Sequence, residues 1–547
     1  MINGYRFSAV KFLLAILLMG VGNYEVKAQA KYQRVYANSQ TSVGTALLTS
    51  ISQANDAVDG NLWTFSTIDV AAVAGVISRY QEFTFNTPIS QTSTANIKFT
   101  TELPVNLVGN AAIKIQAYNG AAAVGPEILM SSGILGLAGG TNMLDYVVPA
   151  PGTSGTYNKI RITLEAGGVV ITARMKIYEV YSNIVPAGNI ACDGIADYLY
   201  GVAGGAVLSA TNGVTDHTLA VDGNTLTFAT LRANVALAVS VFETAIFSSQ
   251  AKQGDSIKII FRSGAGGLLD ASLLSSNFKV AAINGNNIVT TLADQSPLLK
   301  LSLLSGSTTV QTLSFPVTGP FDRIRVSIGD GLLNALSTLE LYEIKRVAPK
   351  PTITATGLTN GQANRCIGET ISLTVSNPET NGTYKWFTVA TGGTAITTGV
   401  SADSKTFSPT GLAVGTHTYY VALVRQGCTD EASDRAKVTI NILALPTITL
   451  GSGPSVCKGI NIASLNYTTT SGSPTTYSIV WASPLFTAIT NTSLPASPIS
   501  ISIPPAATAG TYSGTLTVKN ANGCTSTDVA FSLVLHPKPP TPHVAVQ

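Results

Sequence analysis

The chain has 547 residues, a formal net charge of +3, and 11% charged against 45% hydrophobic side chains. That charge content is far below the roughly 25% of an ordinary soluble domain, and the near balance of signs removes any electrostatic case for nucleic acid or anionic membrane as a partner. The aliphatic content excludes a disordered chain, and the length allows about three to five domains.

Residues 1–28 read as a secretory signal. Arg6 and Lys11 form its basic start and Phe12 to Val21 its apolar run. Val26-Lys27-Ala28 provides small residues before a cut, and cleavage after Ala30 is an equal alternative. Removal takes away three bases (Arg6, Lys11, Lys27) and one acid (Glu25), so the exported chain is near neutral. No later stretch is long and apolar enough for a spanning helix. The expectation is an extracellular or outer-surface protein with no membrane insertion after signal cleavage.

The next 320 or so residues say the same thing twice. Ala57-Val58-Asp59-Gly60-Asn61-Leu62-Trp63-Thr64-Phe65 returns as Ala220-Val221-Asp222-Gly223-Asn224-Thr225-Leu226-Thr227-Phe228. Ile113-Lys114-Ile115 answers to Phe278-Lys279-Val280, and Ile160-Arg161-Ile162 to Ile324-Arg325-Val326. Ile177-Tyr178-Glu179-Val180 answers to Leu341-Tyr342-Glu343-Ile344. The register predicts a duplicated domain, 29–184 and 190–346. Arg79–Phe85, Asn96–Thr100, the Ile113 segment, Ile160–Leu164 and Met175–Val180 alternate apolar and polar residues between Gly, Asn and Pro, as half-buried strands do. No stretch keeps a helical period with caps.

Each copy, opening on Ala-Val-Asp-Gly-Asn-x-x-Thr-Phe and closing on Ile/Leu-Tyr-Glu-Val/Ile, resembles the discoidin or galactose-binding jelly-roll family. The likeness covers about 20 residues of each copy, departing from the family in having Phe65 and Phe228 near the usual Trp and in lacking the flanking cysteines. It implies a structural calcium ion, held in the first copy by Asp59, Asn61, Thr64 and Glu179. Asp222, Asn224, Thr227 and Glu343 are the matching set in the second. Calcium takes six to eight hard oxygens, carbonyls and water among them. The same residues also read as plain tight turns, since Asp-Gly favours one and Asn extends it. Trp63 has Leu226 at its place in the second copy. It is either an exposed stacking platform for sugar or a buried aromatic peculiar to copy one.

Val347-Ala348-Pro349-Lys350-Pro351 reads as a linker. Beyond it, 349–443 and 446–536 each place a Trp (Trp386, Trp481) between two cysteines among short alternating strands, which predicts immunoglobulin-like sandwiches. Both resemble the Cys-bracketed Ig-like and PKD-like modules of large exported proteins of gliding Gram-negative bacteria, where such modules are spacers or adhesive repeats. Residues 537–547 read as a Pro-rich linker or tail. The similar brackets predict the disulfides Cys366–Cys428 and Cys457–Cys524, with Cys192 free. One objection stands: in an ordinary Ig sandwich the paired positions lie at opposite ends.

Four histidines (His217, His417, His536, His543) form no metalloprotease motif, and no nucleophile elbow, Cys-x-x-Cys or phosphate-cradling loop occurs. The reading is an all-β chain of tandem β-sandwiches, two jelly-roll-like and then two immunoglobulin-like. It points to a non-catalytic exported binding or adhesion protein, with an extracellular glycan or surface protein as partner. A purely structural stalk and the accessory part of a longer polysaccharide-degrading enzyme are the alternatives. The oligomeric state is not encoded in any pattern seen.

Overall fold

The computed structural model describes residues 33–43, 48–72, 75–102, 111–130, 143–167, 171–184, 194–203, 212–233, 239–263, 278–291, 310–329 and 338–538. The signal segment, Cys192, His543 and the tail from 539 lie outside the described residues. The regular structure described is almost all strand. The helical exceptions among the described residues are two 3-10 turns, Ala54–Ala57 and His217–Ala220, each running directly into one copy of the repeated motif. No helix among these residues is long and apolar enough to cross a membrane. The chain clusters into two compact units, Met1–Pro349 with Val424–Asp434, and Lys350–Leu423 with Arg435–Gln547.

The first unit holds both copies. Copy one supplies β1 (Gln33–Tyr36), β2 (Ser39–Ser42), β3 (Thr49–Ser52), β4 (Ser66–Ala72), β5 (Val76–Ser90) and β6 (Ala95–Glu102). It continues with β7 (Ala111–Asn119), β8 (Ala122–Leu129), β9 (Leu144–Val148), β10 (Thr156–Gly167) and β11 (Ile171–Ile184). Copy two supplies β12 (Ile195–Ala203), β13 (Gly213–Thr215), β14 (Ala229–Arg232), β15 (Ser240–Phe247) and β16 (Ser256–Ser263). It continues with β17 (Phe278–Asn284), β18 (Asn287–Thr291), β19 (Gln311–Pro316), β20 (Arg323–Gly329) and β21 (Thr338–Val347).

Sheet order makes the duplication explicit. Copy one stacks β2-β5-β10-β7-β8 on β3-β4-β11-β6-β9, with β1 added beside β11. Copy two stacks β12-β15-β20-β17-β18 on β13-β14-β21-β16-β19. Each strand of the second copy occupies the place of the strand ten earlier. Alternation packs each sandwich: Ile160, Ile162 and Leu164 of β10 turn inward with Ile113 and Ile115 of β7, against Ile97, Phe99, Met175 and Ile177 of the other sheet. Ile324 and Val326 of β20 do the same in copy two.

In the second unit, residues 353–423 and 435–443 form sheets of three and four strands, the latter joining Gln362–Cys366 in parallel to Ala436–Leu443. Trp386 is fully buried and donates from Nε1 to Ser404 O at 3.1 Å. Residues 447–536 repeat the plan around a core of Leu465, Ile479, Leu516 and Leu533, with Ser455–Cys457 parallel to Val529–His536.

The cysteines do not pair as the brackets predict. Cys366 is bonded to Cys524, Cys457 is a free, exposed thiol, and Cys428 is disulfide-bonded, though not to Cys366. Register gives the reason. Cys366 lies beside Leu443, at the end of its strand, whereas Gly415–Val424, which leads to Cys428, leaves the sheet beyond Ala436 at the strand's start. About 20 Å of strand separates those ends, three times the reach of a disulfide. Cys457, beside His536, and Cys524, past the Leu516–Val529 pair, are divided in the same way. The bond therefore links one sandwich to the next. Closing 158 residues of chain restricts the unfolded state by about 5 kcal/mol in the entropy account.

Candidate functional site

The repeated turn folds almost identically in both copies. Gly60 and Gly223 take left-handed φ of 80° and 79°, which a side chain would resist. Asp59 Oδ1 accepts from Asn61 N and Asp222 Oδ1 from Asn224 N, both at 2.8 Å. Asn61 Oδ1 then accepts from Trp63 N at 3.2 Å, and Asn224 Oδ1 from Leu226 N at 3.1 Å. Thr64 and Thr227 donate to the Asp59 and Asp222 carboxylates at 2.8 Å. These local side-chain bonds are what Asp, Asn and Thr do in tight turns.

The oxygens outnumber the protons. Thr64 Oγ1 lies within 3.2 Å of both Asp59 carboxylate oxygens and the carbonyls of Asp56 and Asn61, yet it carries a single hydrogen. A carboxylate with nothing to accept from stands close by. Glu179 is buried, and neither of its oxygens has a partner. Burial first, and then the charge of Asp59, pushes its carboxyl up to about 7. Glu343 is the counterpart with a partial partner: it is buried, its Oε2 has no hydrogen bond but lies 3.6 Å from Lys345 Nζ, and burial leads the causes that raise its pKa, with Lys345 opposing and Asp222 adding to it.

A β-bulge aims these acids. In β11 the register against β6 skips Tyr178, and in β21 the register against β16 skips Tyr342. The break in alternation buries Glu179 together with Val180, and Glu343 together with Ile344. Phe65 packs on Tyr178 at 5.2 Å and Phe228 on Tyr342 at 5.1 Å. A divalent cation would be held by Asp59, Glu179 and the carbonyls of Asp56 and Asn61; no residue pattern could have named those carbonyls. The side-chain oxygens of Asn61 and Thr64 are engaged inside the turn. Each turn brings two carboxylates, and among the described residues no three acidic, His or Cys side chains converge on a metal position.

Trp63 stands at the junction of the two copies. It is 37% exposed, whereas Leu226 is 85% exposed. Its ring lies 5.3 Å from Tyr198, 5.9 Å from Tyr200 and 5.8 Å from His217, all of the second copy. His217 stacks on Tyr200 at 4.0 Å and 11°. The ammonium of Lys98 sits 4.3 Å from the Trp63 ring centre.

Under this cluster the copies exchange buried charges. Asp197 of copy two receives Arg34 at 3.0 Å and Lys98 at 3.3 Å from copy one. Arg323 of copy two donates to the Asp145 carbonyl at 2.6 Å and carboxylate at 3.1 Å in copy one. Asn96 and Tyr181 hold the same carboxylate. Burial alone would raise the Asp145 pKa, but Arg323 and Arg34 outweigh it and hold it below the usual range. Lys98 is lowered by burial against the pull of Asp197. Sequence reasoning missed these residues, although one signal existed: Lys98 occupies the strand position that copy two fills with Ile260.

A second difference between copies is buried in the other sheet. Gln81 of β5 donates to Ala54 O at 2.9 Å and accepts from Ser66 at 2.8 Å. The register places Glu243 and Ala229 at the positions of Gln81 and Ser66. Glu243 is fully buried with both oxygens unpartnered, and burial raises its pKa well above the usual range.

Residues 351–443 match the family described as an Ig-like domain, CHU_C associated. No curated protein matches the chain. Among solved structures, fibronectin(III)-like modules of Clostridium thermocellum CbhA align at 13% identity over 36% of this chain and 100% of that one, with a TM-score of 0.23. A family 32 CBM from C. perfringens NanJ, solved in complex with galactose, aligns at 16% over 27% and 92%, with a TM-score of 0.18. The BSP domain of a biofilm associated protein aligns at 10% over 95% and 100%, with a TM-score of 0.18. Overlaps at these scores carry no argument about function.

Two outcomes are expected. Calcium added to metal-stripped protein raises the melting temperature of the first unit, by the equivalent of about 2.7 kcal/mol at a hundredfold excess over Kd. Glu179→Gln reduces that response, and adding Glu343→Gln removes it. No response in the unaltered protein leaves plain turns. Separately, Glu243→Gln stabilises at neutral pH. A carboxyl raised on folding contributes its stability below the unfolded value and loses it as pH rises towards the folded one. The advantage of the Gln variant is therefore near zero at pH 4 and grows through pH 7. Equal denaturant midpoints of variant and parent at pH 7 would contradict this.

Proposed function

We propose that this is a non-catalytic, exported surface or secreted protein for binding or adhesion. Its first unit presents a ligand face, with carbohydrate the ligand class, and its Ig-like sandwiches act as spacers. The observation that carries the reading is the junction cluster, where Trp63, Tyr198, Tyr200 and His217 gather four rings at the surface over the buried Lys98. Flat, partly exposed rings with polar edges suit the apolar face of a sugar. The Ig-like match at 351–443 and the disulfide support an extracellular setting. In this reading calcium is a structural ion at the two turns, holding the loop that carries Trp63. The stalk reading is favoured by one observation, that Trp63 also serves as packing between the copies.

A glycan array of the parent and Trp63→Ala separates the two. The binding reading expects glycans retained by the parent and lost by the variant. Trp63→Ala also lowers unfolding free energy by about 2–3 kcal/mol, less than a fully buried Trp would cost. Leu226→Ala, at the equivalent exposed position, stays within about 0.5 kcal/mol. A parent that retains no glycan leaves the stalk.

A further inference from the structure

The duplication shows what copy two has lost on the outer face of one sheet. In copy one, Arg161 on β10 lies opposite Glu82 on β5 and donates to it from Nε at 3.0 Å and Nη2 at 2.7 Å. The rings of Tyr80 and Tyr118 flank its guanidinium at 4.2 and 4.5 Å. Register places Arg325 at the position of Arg161. Thr244 replaces Glu82, Phe242 replaces Tyr80, Ala281 replaces Gln116 and Ile283 replaces Tyr118. One carboxylate has become a hydroxyl, and three polar side chains have become apolar.

Arg325 kept its charge and lost its counterion. It donates from Nε to Thr244 Oγ1 at 3.0 Å and lies 4.3 Å from the Phe242 ring centre. No carboxylate pairs with it among the described residues. Burial, then the neighbouring Arg323, pushes it down to about 10, the condition of a guanidinium short of an anion.

There is room beside it. A partly open cavity of about 150 Å³ lies against Arg325, Thr244, Ala281 and Ile283, with Leu144 and Tyr146 of copy one as the facing wall. Two other polar side chains in its lining are largely committed. Arg323 is engaged by Asp145, whose carboxylate also takes Asn96 and Tyr181, and Asn286 is bonded to both backbone groups of Val147. The Nη groups of Arg325 have no acceptor among the described residues, and Arg323 Nε beside them also lacks a hydrogen bond. A cavity of this volume holds a molecule about the size of benzene.

We propose that this cavity binds a small carboxylate, its acid group paired in bidentate fashion with Arg325 and its body seated on the apolar lining. Carboxylate on guanidinium is the pairing that copy one makes internally, and its planar fork favours a carboxylate over a point anion. The acid is carried either by a free ring-sized compound or by a uronic acid of a glycan. The site uses none of the turn residues and not Trp63, so it is independent of glycan binding at the junction cluster.

Calorimetric titration of the full chain with benzoate, glucuronate and benzyl alcohol tests it. At least one carboxylate is expected to bind with a submillimolar Kd, and benzyl alcohol at least tenfold more weakly. Benzoate alone identifies a free acid as the natural class; glucuronate alone identifies a sugar acid. Arg325→Gln weakens the bound carboxylate at least tenfold. Thr244→Glu restores the internal partner seen in copy one, so it abolishes binding while raising the melting temperature, which shows that the fold is intact. Neither carboxylate binding with a submillimolar Kd, benzyl alcohol binding equally well, or undiminished binding by Thr244→Glu would each overturn the proposal.

Discussion

The first unit depends on the reciprocal exchange of buried charge between its two halves. Each copy supplies one carboxylate and at least one cation: Asp145 with Arg34 and Lys98 from the first, Asp197 with Arg323 from the second. Ions taken out of water are costly, and attraction offsets that cost only when geometry and hydrogen bonds are complete. Here Asn96, Tyr181 and the Asp145 carbonyl supply most of it, leaving Arg323 Nε and Asn96 Oδ1 without hydrogen bonds. Removing one partner would strand the other, at about 3–5 kcal/mol. Such a network adds less to net stability than to geometry. It forbids the copies to slide, and so fixes where Trp63 meets Tyr198, Tyr200 and His217.

Duplication explains how the halves came to differ in use while agreeing in fold. Both retain the turn, the bulge and the buried glutamate, the parts that shape the loop end of each sandwich. Differences fall at positions the common scaffold does not need. Lys98 stands against Ile260, Trp63 against Leu226, Gln81 against Glu243 and Glu82 against Thr244. The first two exchanges made the junction. The last two left copy two with a carboxyl lacking partners and an arginine lacking a counterion, groups whose cost is tolerated within the marginal stability of a sandwich.

Much of the fold was legible in the chain because strand alternation and turn chemistry are local. The Ile160–Leu164 and Met175–Val180 segments lie inside β10 and β11, and both Asp-Gly turns bond as Asp, Asn and Thr do in isolation. The bulge at Tyr178 was not legible, since it is a property of two strands in register and not of one sequence. The junction pairs lie 99, 163 and 178 residues apart, too far for any spacing pattern to mark them. The cysteine pairing failed for the same reason. Similar spacing within each bracket was visible, but which end of the sandwich each cysteine occupies follows from the parallel pairing of Gln362–Cys366 with Ala436–Leu443.

The central claim is that the two copies are one cooperative body joined through Asp145 and Asp197. Scanning calorimetry of the full chain, comparing the parent with Asp197→Asn, measures this directly. The account predicts that both copies melt in one transition in the parent and that the substitution, by stranding Lys98 and Arg34, divides it into two. Two separate transitions for the copies in the parent, or an undivided and unshifted one in the variant, would contradict it.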